Sequence, residues 1–219
     1  MESNEISKNI LKTGTTIIGI KCKDGAIIAS DRRVSMGGAN LVVQKDFLKT
    51  IRLNDYMLMA IAGTASDAVL LSKLISAELK LKELRTRSRP TVAEAANLIG
   101  MSIYRNIRTP SMIPNIVGTI CGGFNEDGSA EIYAISPAGN IREIKDYDAN
   151  GSGMLFVIGL LERQYKPGLT VKEGVELAKE SIKSSTQRDT ASGNGIDVFT
   201  ITKEGVTHVV SEEIVPLYK

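Results

Sequence analysis

The chain has 219 residues, of which 42% are hydrophobic and 24% charged, a composition typical of one folded domain and not of a disordered or fibrous chain. Its 27 basic and 25 acidic residues leave a formal net charge of +2, which gives no electrostatic reason to expect a nucleic acid or a membrane as partner. No apolar run approaches the roughly 18 residues of a membrane span, and the first residues lack the apolar core of a secretory signal. We therefore expect an intracellular, cytoplasmic protein.

The cysteine and histidine counts exclude several kinds of site. Two cysteines, Cys22 and Cys121, lie in apolar runs and are expected to be buried free thiols. The single histidine, His208, lies on an alternating run that predicts a strand, and one histidine cannot supply a two-histidine zinc motif. We expect no metal and no cofactor, and a hydrolase built on this chain would need a base other than histidine.

The first half of the chain predicts a block of strands followed by two helices. Residues 1–14 form a polar leader, after which alternating apolar residues predict a meander of strands at 15–22, 26–31, 41–43, 50–53 and 56–61. A helix is predicted from Thr64 to the basic stretch before Pro90. A second helix, through about residue 107, opens on Thr91 and Glu94, which have the spacing of a capping box.

The second half repeats this order. Strands are predicted at 116–124, 130–135 and 141–144, helices at 153–164 and 170–185, and closing strands at 196–201 and 207–210. Strand blocks that alternate with helix pairs indicate an α+β fold with antiparallel sheets. We predict a four-layer αββα arrangement, in which helix pairs cover the outer faces of a two-sheet sandwich.

The junction of leader and first strand carries the first chemical signal, in the sequence Gly14-Thr15-Thr16. Removal of the leader would give Thr15 a free α-amine. Such an amine has an ordinary pKa of about 7.7–8.0, so it can accept a proton from the hydroxyl of its own residue near neutral pH. This arrangement supplies a nucleophile and a base without histidine, although a Gly-Thr-Thr strand start is common in proteins that have no such activity.

Several further segments occur together with this junction, and in this combination the chain resembles the proteasome β subunits. They are the segments 14–20, 24–25, 29–33, 61–63, 151–153 and 188–193. The resemblance extends from Thr15 to about Pro216, and it implies the N-terminal nucleophile hydrolase fold, which is the αββα sandwich predicted above. It further implies a single catalytic domain, 15–219, preceded by a propeptide, 1–14, that the zymogen removes by autocatalytic cleavage between Gly14 and Thr15.

The resemblance also assigns roles to individual residues. Thr15 would be the nucleophile, Lys49 the lysine that favours ionisation of its hydroxyl, and Asp31 the carboxylate that orients the lysine. The spacing between Asp31 and Lys49 indicates a short insertion around residues 37–38, so Lys45 remains a rival for the lysine role. The polar group that supports the threonine amine and its water would consist of three residues: Ser152, Asp189 and Ser192.

Substrate recognition follows from the same resemblance. The backbone N–H of Gly63 would stabilise the oxyanion. The primary specificity pocket would be lined by Val34, Ile61 and Ala65, all of them apolar. Such a pocket offers no partner to a charged side chain, so we predict cleavage after large hydrophobic residues.

The implied partners are other proteasome subunits. The family forms heptameric β rings stacked between α-subunit rings, with a regulatory ATPase acting through the α ring and unfolded proteins as substrates. Two alternatives stay open. The bacterial two-component relative shares the Thr-Thr start but usually lacks the 188–193 segment, and a catalytically silent β subunit would only complete a mixed ring.

Overall fold

The computed structural model describes residues 14–36, 41–111 and 115–214. The first thirteen leader residues and the insertion predicted around residues 37–38 lie outside this part of the chain.

Most of the described strands belong to two five-stranded antiparallel sheets. The first sheet has the strand order β10 (Tyr147–Asn150), β1 (Ile17–Cys22), β2 (Gly25–Asp31), β11 (Gly195–Thr202) and β12 (Gly205–Glu213). The second has the order β5 (Thr50–Asn54), β6 (Met57–Gly63), β7 (Val117–Phe124), β8 (Ala130–Ile135) and β9 (Ile141–Glu143). Two short strands, β3 (Val34–Met36) and β4 (Leu41–Gln44), form a separate two-stranded sheet among the described residues.

Four helices of the described part of the chain cover the outer faces of the sandwich and confirm the predicted layers. The helices α1 (Ala65–Thr86) and α2 (Val92–Arg108) pack on the second sheet, and α3 (Met154–Gln164) and α4 (Val171–Thr186) pack on the first. The capping box predicted at Thr91 is present, because Glu94 N donates to Thr91 Oγ1 at 3.2 Å and Thr91 N donates to Glu94 Oε2 at 2.9 Å. No helix in the described ranges is long and apolar enough to cross a membrane.

Three hydrophobic clusters fill the spaces between the four layers, and β2 shows how one strand serves two of them. Ala26 and Ile28 face the other sheet, whereas Ile27 and Ala29 face the helix pair α3 and α4. Because successive side chains of a strand point to opposite faces, a strand covered on both sides needs apolar residues at every position. Every residue of β2 is buried, including Asp31 at its end.

The predicted strands at the start of the chain do not form one continuous meander, although the predicted hairpin of β5 and β6 is present. β1 and β2 pair as expected, but the other neighbour of β2 is β11, and β5 and β6 belong to the second sheet. The short strands β3 and β10 were not predicted. β10 has the polar sequence Tyr-Asp-Ala-Asn, which lacks a strand pattern, and it is a strand because it pairs with the edge of β1.

Candidate active site

Thr15 lies just before β1, and its peptide bond to Gly14 is intact. Only 4% of its surface is exposed to solvent. The backbone N–H of Thr15 donates to Ser152 Oγ at 3.2 Å. Its hydroxyl donates to the carbonyl oxygen of Gly14 at 2.5 Å. The hydroxyl that would act as nucleophile therefore lies directly against the carbonyl group of the bond it would cleave.

Lys49 supplies a second hydrogen bond to the same carbonyl group. Its Nζ lies 3.2 Å from the Gly14 oxygen and 2.7 Å from Asp31 Oδ1, and both side chains of the Lys49–Asp31 pair are almost fully buried. Burial lowers the pKa of Lys49 below its ordinary value of 10.5, and the carboxylate of Asp31 acts against this lowering. The ammonium group is thus placed to withdraw electron density from the scissile carbonyl.

Backbone N–H groups from three segments hold the Asp31 carboxylate in place. Oδ1 accepts from Thr16 N at 2.8 Å, and Oδ2 accepts from Arg33 N at 3.0 Å and from Gly193 N at 2.9 Å. These hydrogen bonds offset the desolvation cost of the fully buried carboxylate, because they replace the hydrogen bonds that it would make to water. Asp31 consequently fixes both Lys49 and the backbone of Thr16, the residue after Thr15.

A second carboxylate, Asp189, organises the other side of Thr15. Its Oδ2 accepts from Ser152 Oγ and from Ser192 Oγ, each at 2.6 Å. Since each serine hydroxyl has one proton and gives it to Asp189, Ser152 accepts the N–H of Thr15, and Ser192 accepts the hydroxyl proton of Thr16 at 2.8 Å. The result is a chain of hydrogen bonds that ends on the nitrogen of Thr15.

Local structure explains how these residues meet. Ser152 lies in the turn between β10 and α3, and the pairing of Asn150 with Ile17 brings that turn beside Thr15. Asp189 follows the last turn of α4, where its N–H donates to Ser185 O at 2.8 Å. The unpredicted strand β10 is therefore what positions Ser152.

The structure separates the two lysines that competed for one role. Lys45 is exposed in the bend after β4, whereas Lys49 is buried beside Asp31 and immediately precedes β5. The structure also brings together all six residues that the resemblance places in catalysis. Thr15 has the Asp31–Lys49 pair on one side and the Ser152–Asp189–Ser192 group on the other.

The residues expected to bind substrate are more dispersed. Gly63 ends β6 with φ of 123°, a left-handed value that favours glycine, and a Cβ there would meet the carbonyl oxygen of Ile116 at 2.1 Å. Ile61 is buried in the cluster between the second sheet and its helices, and its N–H donates to Lys49 O at 2.9 Å. Val34 in β3 and Ala65 at the start of α1 are half-buried.

Sequence reasoning missed the contribution of two polar residues to this region, Ser35 and Arg33. Ser35 Oγ accepts the N–H of Gly14 at 3.1 Å. Arg33 binds the loop that contains Ser192, because it donates to Thr190 O at 2.7 Å and to Asn194 Oδ1 at 2.8 Å. A serine in a short strand and an arginine between two strands carry no local signal of such long-range contacts.

A buried carboxylate next to this loop was also missed. Asp197 in β11 is fully buried and accepts from Arg32 Nε at 2.8 Å, Arg32 Nη2 at 2.6 Å and His208 Nε2 at 2.9 Å. His208 also stacks on Phe199, with ring centroids 4.2 Å apart. A charged residue between the apolar Ile196 and Val198 is a signal that could have predicted a buried ion pair.

The chain matches the family described as "Proteasome subunit" over residues 11–201. The relatives named "Proteasome subunit beta" include the following three. The protein from Nanoarchaeum equitans is 42% identical over 198 residues, 90% of this chain and 98% of the relative. The protein from Archaeoglobus profundus is 40% identical over 210 residues, with 96% and 94% covered. The protein from Methanococcus maripaludis strain C7 is 36% identical over 214 residues, with 98% and 94% covered. The chain therefore belongs to the proteasome subunit family, and it is similar to β subunits of that family along almost its whole length.

Proposed function

We propose that Thr15 is the nucleophile of this threonine endopeptidase and that the chain generates it by cleaving its own Gly14–Thr15 bond. The observation that carries the proposal is the position of Thr15 Oγ1, which lies 2.5 Å from the carbonyl oxygen of Gly14, while Lys49 Nζ donates to that same oxygen. The carbonyl group thus has beside it the two groups that acyl transfer uses: a hydroxyl to attack the carbon and a cation to stabilise charge on the oxygen.

Self-cleavage then takes place in two steps, formation of an ester and its hydrolysis. In the first, Thr15 Oγ1 bonds to the carbonyl carbon of Gly14, the bond from that carbon to Thr15 N breaks, and the hydroxyl proton passes to the nitrogen. The product is an ester between Gly14 and the Thr15 side chain. In the second, water hydrolyses the ester, which restores the hydroxyl and leaves Gly14 as a carboxylate. Lys49 stabilises the negative charge that develops on the carbonyl oxygen in both steps.

Peptide substrates use the same hydroxyl with a new base. Once the leader is gone, the free amine of Thr15 takes the hydroxyl proton, directly or through a water molecule, and later returns it to the leaving amine of the substrate. Ser152, linked to Asp189 at 2.6 Å, is placed to orient this amine. The Asp31–Lys49 pair keeps its role, and the N–H of Gly63 is assigned to the substrate's oxyanion.

We assign specificity to the apolar pocket of Val34, Ile61 and Ala65, with large hydrophobic side chains as the preferred residues before the cleaved bond. The supporting argument is energetic. A charged side chain in an apolar pocket loses hydration worth several kcal/mol, whereas burial of a leucine or phenylalanine side chain gains about 1.5–3 kcal/mol.

The family implies assembly with other proteasome subunits. We assign this chain to heptameric β rings that lie between α rings, and we assign the admission of unfolded proteins to an ATPase on the α ring. Support comes from exposed apolar side chains on both helix layers, such as Leu155 of α3, which is 77% exposed, and Leu84 of α1, which is 64% exposed. Cytoplasm is the assigned compartment, and the two free buried cysteines suit a reducing environment.

A catalytically silent subunit is the less favoured alternative. A subunit that only completed a ring would have no need of a buried lysine 2.7 Å from a buried carboxylate, a pair that is costly to desolvate. In this chain that pair points at the carbonyl oxygen of Gly14, where it has a chemical use.

Intact mass of the assembled protein tests the proposal directly. We expect the mature chain to begin at Thr15. Thr15→Ala should retain the leader and lose peptide hydrolysis, whereas Thr15→Ser should retain some of both, because it keeps the hydroxyl and loses only the methyl group that restricts its rotamers. A fully active particle whose chain begins at any other residue would remove Thr15 from the mechanism.

A further inference from the structure

Ser35 is the inward-facing residue of the short strand β3. Its neighbours Val34 and Met36 are half-buried and exposed, whereas Ser35 itself is fully buried. Its hydroxyl oxygen accepts the backbone N–H of Gly14 at 3.1 Å. A buried hydroxyl therefore contacts the residue that would leave with the leader, on the side away from the scissile bond.

Gly14 is thereby held at both ends of its backbone. Ser35 holds the N–H group, and Lys49 holds the carbonyl oxygen at 3.2 Å. Glycine has no side chain to limit rotation about its two backbone bonds, so contacts of this kind must fix the direction of its carbonyl group. The bond from Ser35 limits rotation on one side of the Gly14 Cα and the bond from Lys49 on the other.

We propose that Ser35 is a positioning residue for cleavage of the leader and that turnover of peptide substrates does not use its hydroxyl. The proposal rests on the proposed function, because it assumes that the Gly14–Thr15 bond is cleaved by Thr15. Ser35 acts through Gly14: it aims the carbonyl group at the Thr15 hydroxyl and does not touch the reacting atoms.

The selectivity follows from the close packing of Gly14. A Cβ at Gly14 would lie 1.7 Å from the Cβ of Ala191. A substrate residue with any side chain therefore cannot place its backbone where Gly14 lies, and its N–H cannot reach Ser35 Oγ in the same way. The glycine of the leader can therefore form the hydrogen bond to Ser35, whereas the large residues expected before the cleaved bond of a substrate cannot.

The test compares two rates in the same preparation of full-length chain. Ser35→Ala should slow the appearance of the chain that begins at Thr15 about five- to tenfold, the effect of one neutral hydrogen bond. After the reaction is complete, kcat/KM for a hydrophobic peptide, normalised to the mature chain measured by intact mass, should differ from wild type by less than twofold. Ser35→Thr, which keeps the hydroxyl, should restore the cleavage rate.

Ser181→Ala is the matched control, because Ser181 is also a fully buried serine but its hydroxyl donates to Leu177 O within α4. It should change neither rate. Equal slowing of cleavage and peptide turnover by Ser35→Ala, or no slowing of cleavage, would overturn the proposal. A wild-type particle without a chain beginning at Thr15 would instead overturn the proposed function, so the two failures are distinguishable.

Discussion

Substitution of Gly14 by alanine gives the sharpest test of the geometry around the leader junction. The added Cβ would lie 1.7 Å from the Cβ of Ala191 and 2.6 Å from both its Cα and its carbonyl oxygen. Two of these three contacts are with backbone, which cannot turn away as a flexible side chain can. An ordinary contact needs at least about 3.4 Å, so Gly14 would have to move by about 1.7 Å.

Such a shift acts on the reacting atoms themselves. The Thr15 hydroxyl lies 2.5 Å from the oxygen of Gly14, and a misplacement of about 1 Å can cost about a hundredfold in rate. We therefore expect Gly14→Ala to slow cleavage of the leader by at least about a hundredfold. The assay is intact mass of the assembled protein over time, with gel filtration to verify that assembly is unchanged.

Two further variants identify the cause. Gly159→Ala in α3 adds the same methyl group where nothing lies within 4 Å, and it should leave cleavage unchanged. The double variant Gly14→Ala, Ala191→Gly removes the 1.7 Å contact but keeps both contacts of 2.6 Å, so it should recover part of the lost rate. Cleavage of Gly14→Ala within threefold of wild type would refute the packing argument.

Three other predictions concern charge. Lys49→Ala should abolish cleavage of the leader and peptide hydrolysis, and should lower Tm because it leaves Asp31 buried without its ion partner; Lys45→Ala should do neither, since Lys45 is exposed. Because burial lowers the pKa of Lys49, leader cleavage should decline as pH rises through a value below 10.5, measured by intact mass across a pH series. The carboxylate of Asp31 raises the pKa of Lys49, so in Asp31→Asn the decline of whatever leader cleavage remains should occur at lower pH. A decline at higher pH would contradict the assignment of this pH dependence to Lys49. Fluorogenic peptides ending in leucine or tyrosine should be cleaved faster by the assembled particle than those ending in arginine or glutamate, and the reverse order would show that Val34, Ile61 and Ala65 do not set specificity.

What the sequence could predict of the fold was the part encoded locally. The helix that begins after Thr91 was predictable because a threonine and a glutamate three residues apart satisfy each other's backbone N–H groups, whatever the rest of the chain does. β10 was not predictable, because its four residues lack a strand pattern and form a strand through pairing with β1. The division of the first strands between two sheets has the same origin, since nothing within β2 specifies β11 as its neighbour.

The candidate site divides in the same way. The family resemblance pointed to Thr15, Asp31 and Lys49, and the structure brings them within hydrogen-bonding reach of one another or of Gly14. Ser35 could not be found from sequence, because its contact with Gly14 depends on where a short strand, paired with β4, meets the leader. Apart from Lys49, the residues to which we assign the chemistry lie in segments that resemble the family, whereas Ser35, to which we assign only a positioning role, lies outside them.

The nitrogen of Thr15 has two different chemical states, one before and one after cleavage of the leader. With the leader attached, that nitrogen is an amide: it donates to Ser152 and has no basic lone pair to offer the hydroxyl. After cleavage it is an amine with an ordinary pKa of about 7.7–8.0, which must lose its proton before it can act as base. Peptide hydrolysis should therefore rise with pH through the amine's pKa before it declines through that of Lys49, whereas leader cleavage, which uses no amine, should show only the decline. An ascending limb common to both reactions would mean that a group other than the Thr15 amine is the base.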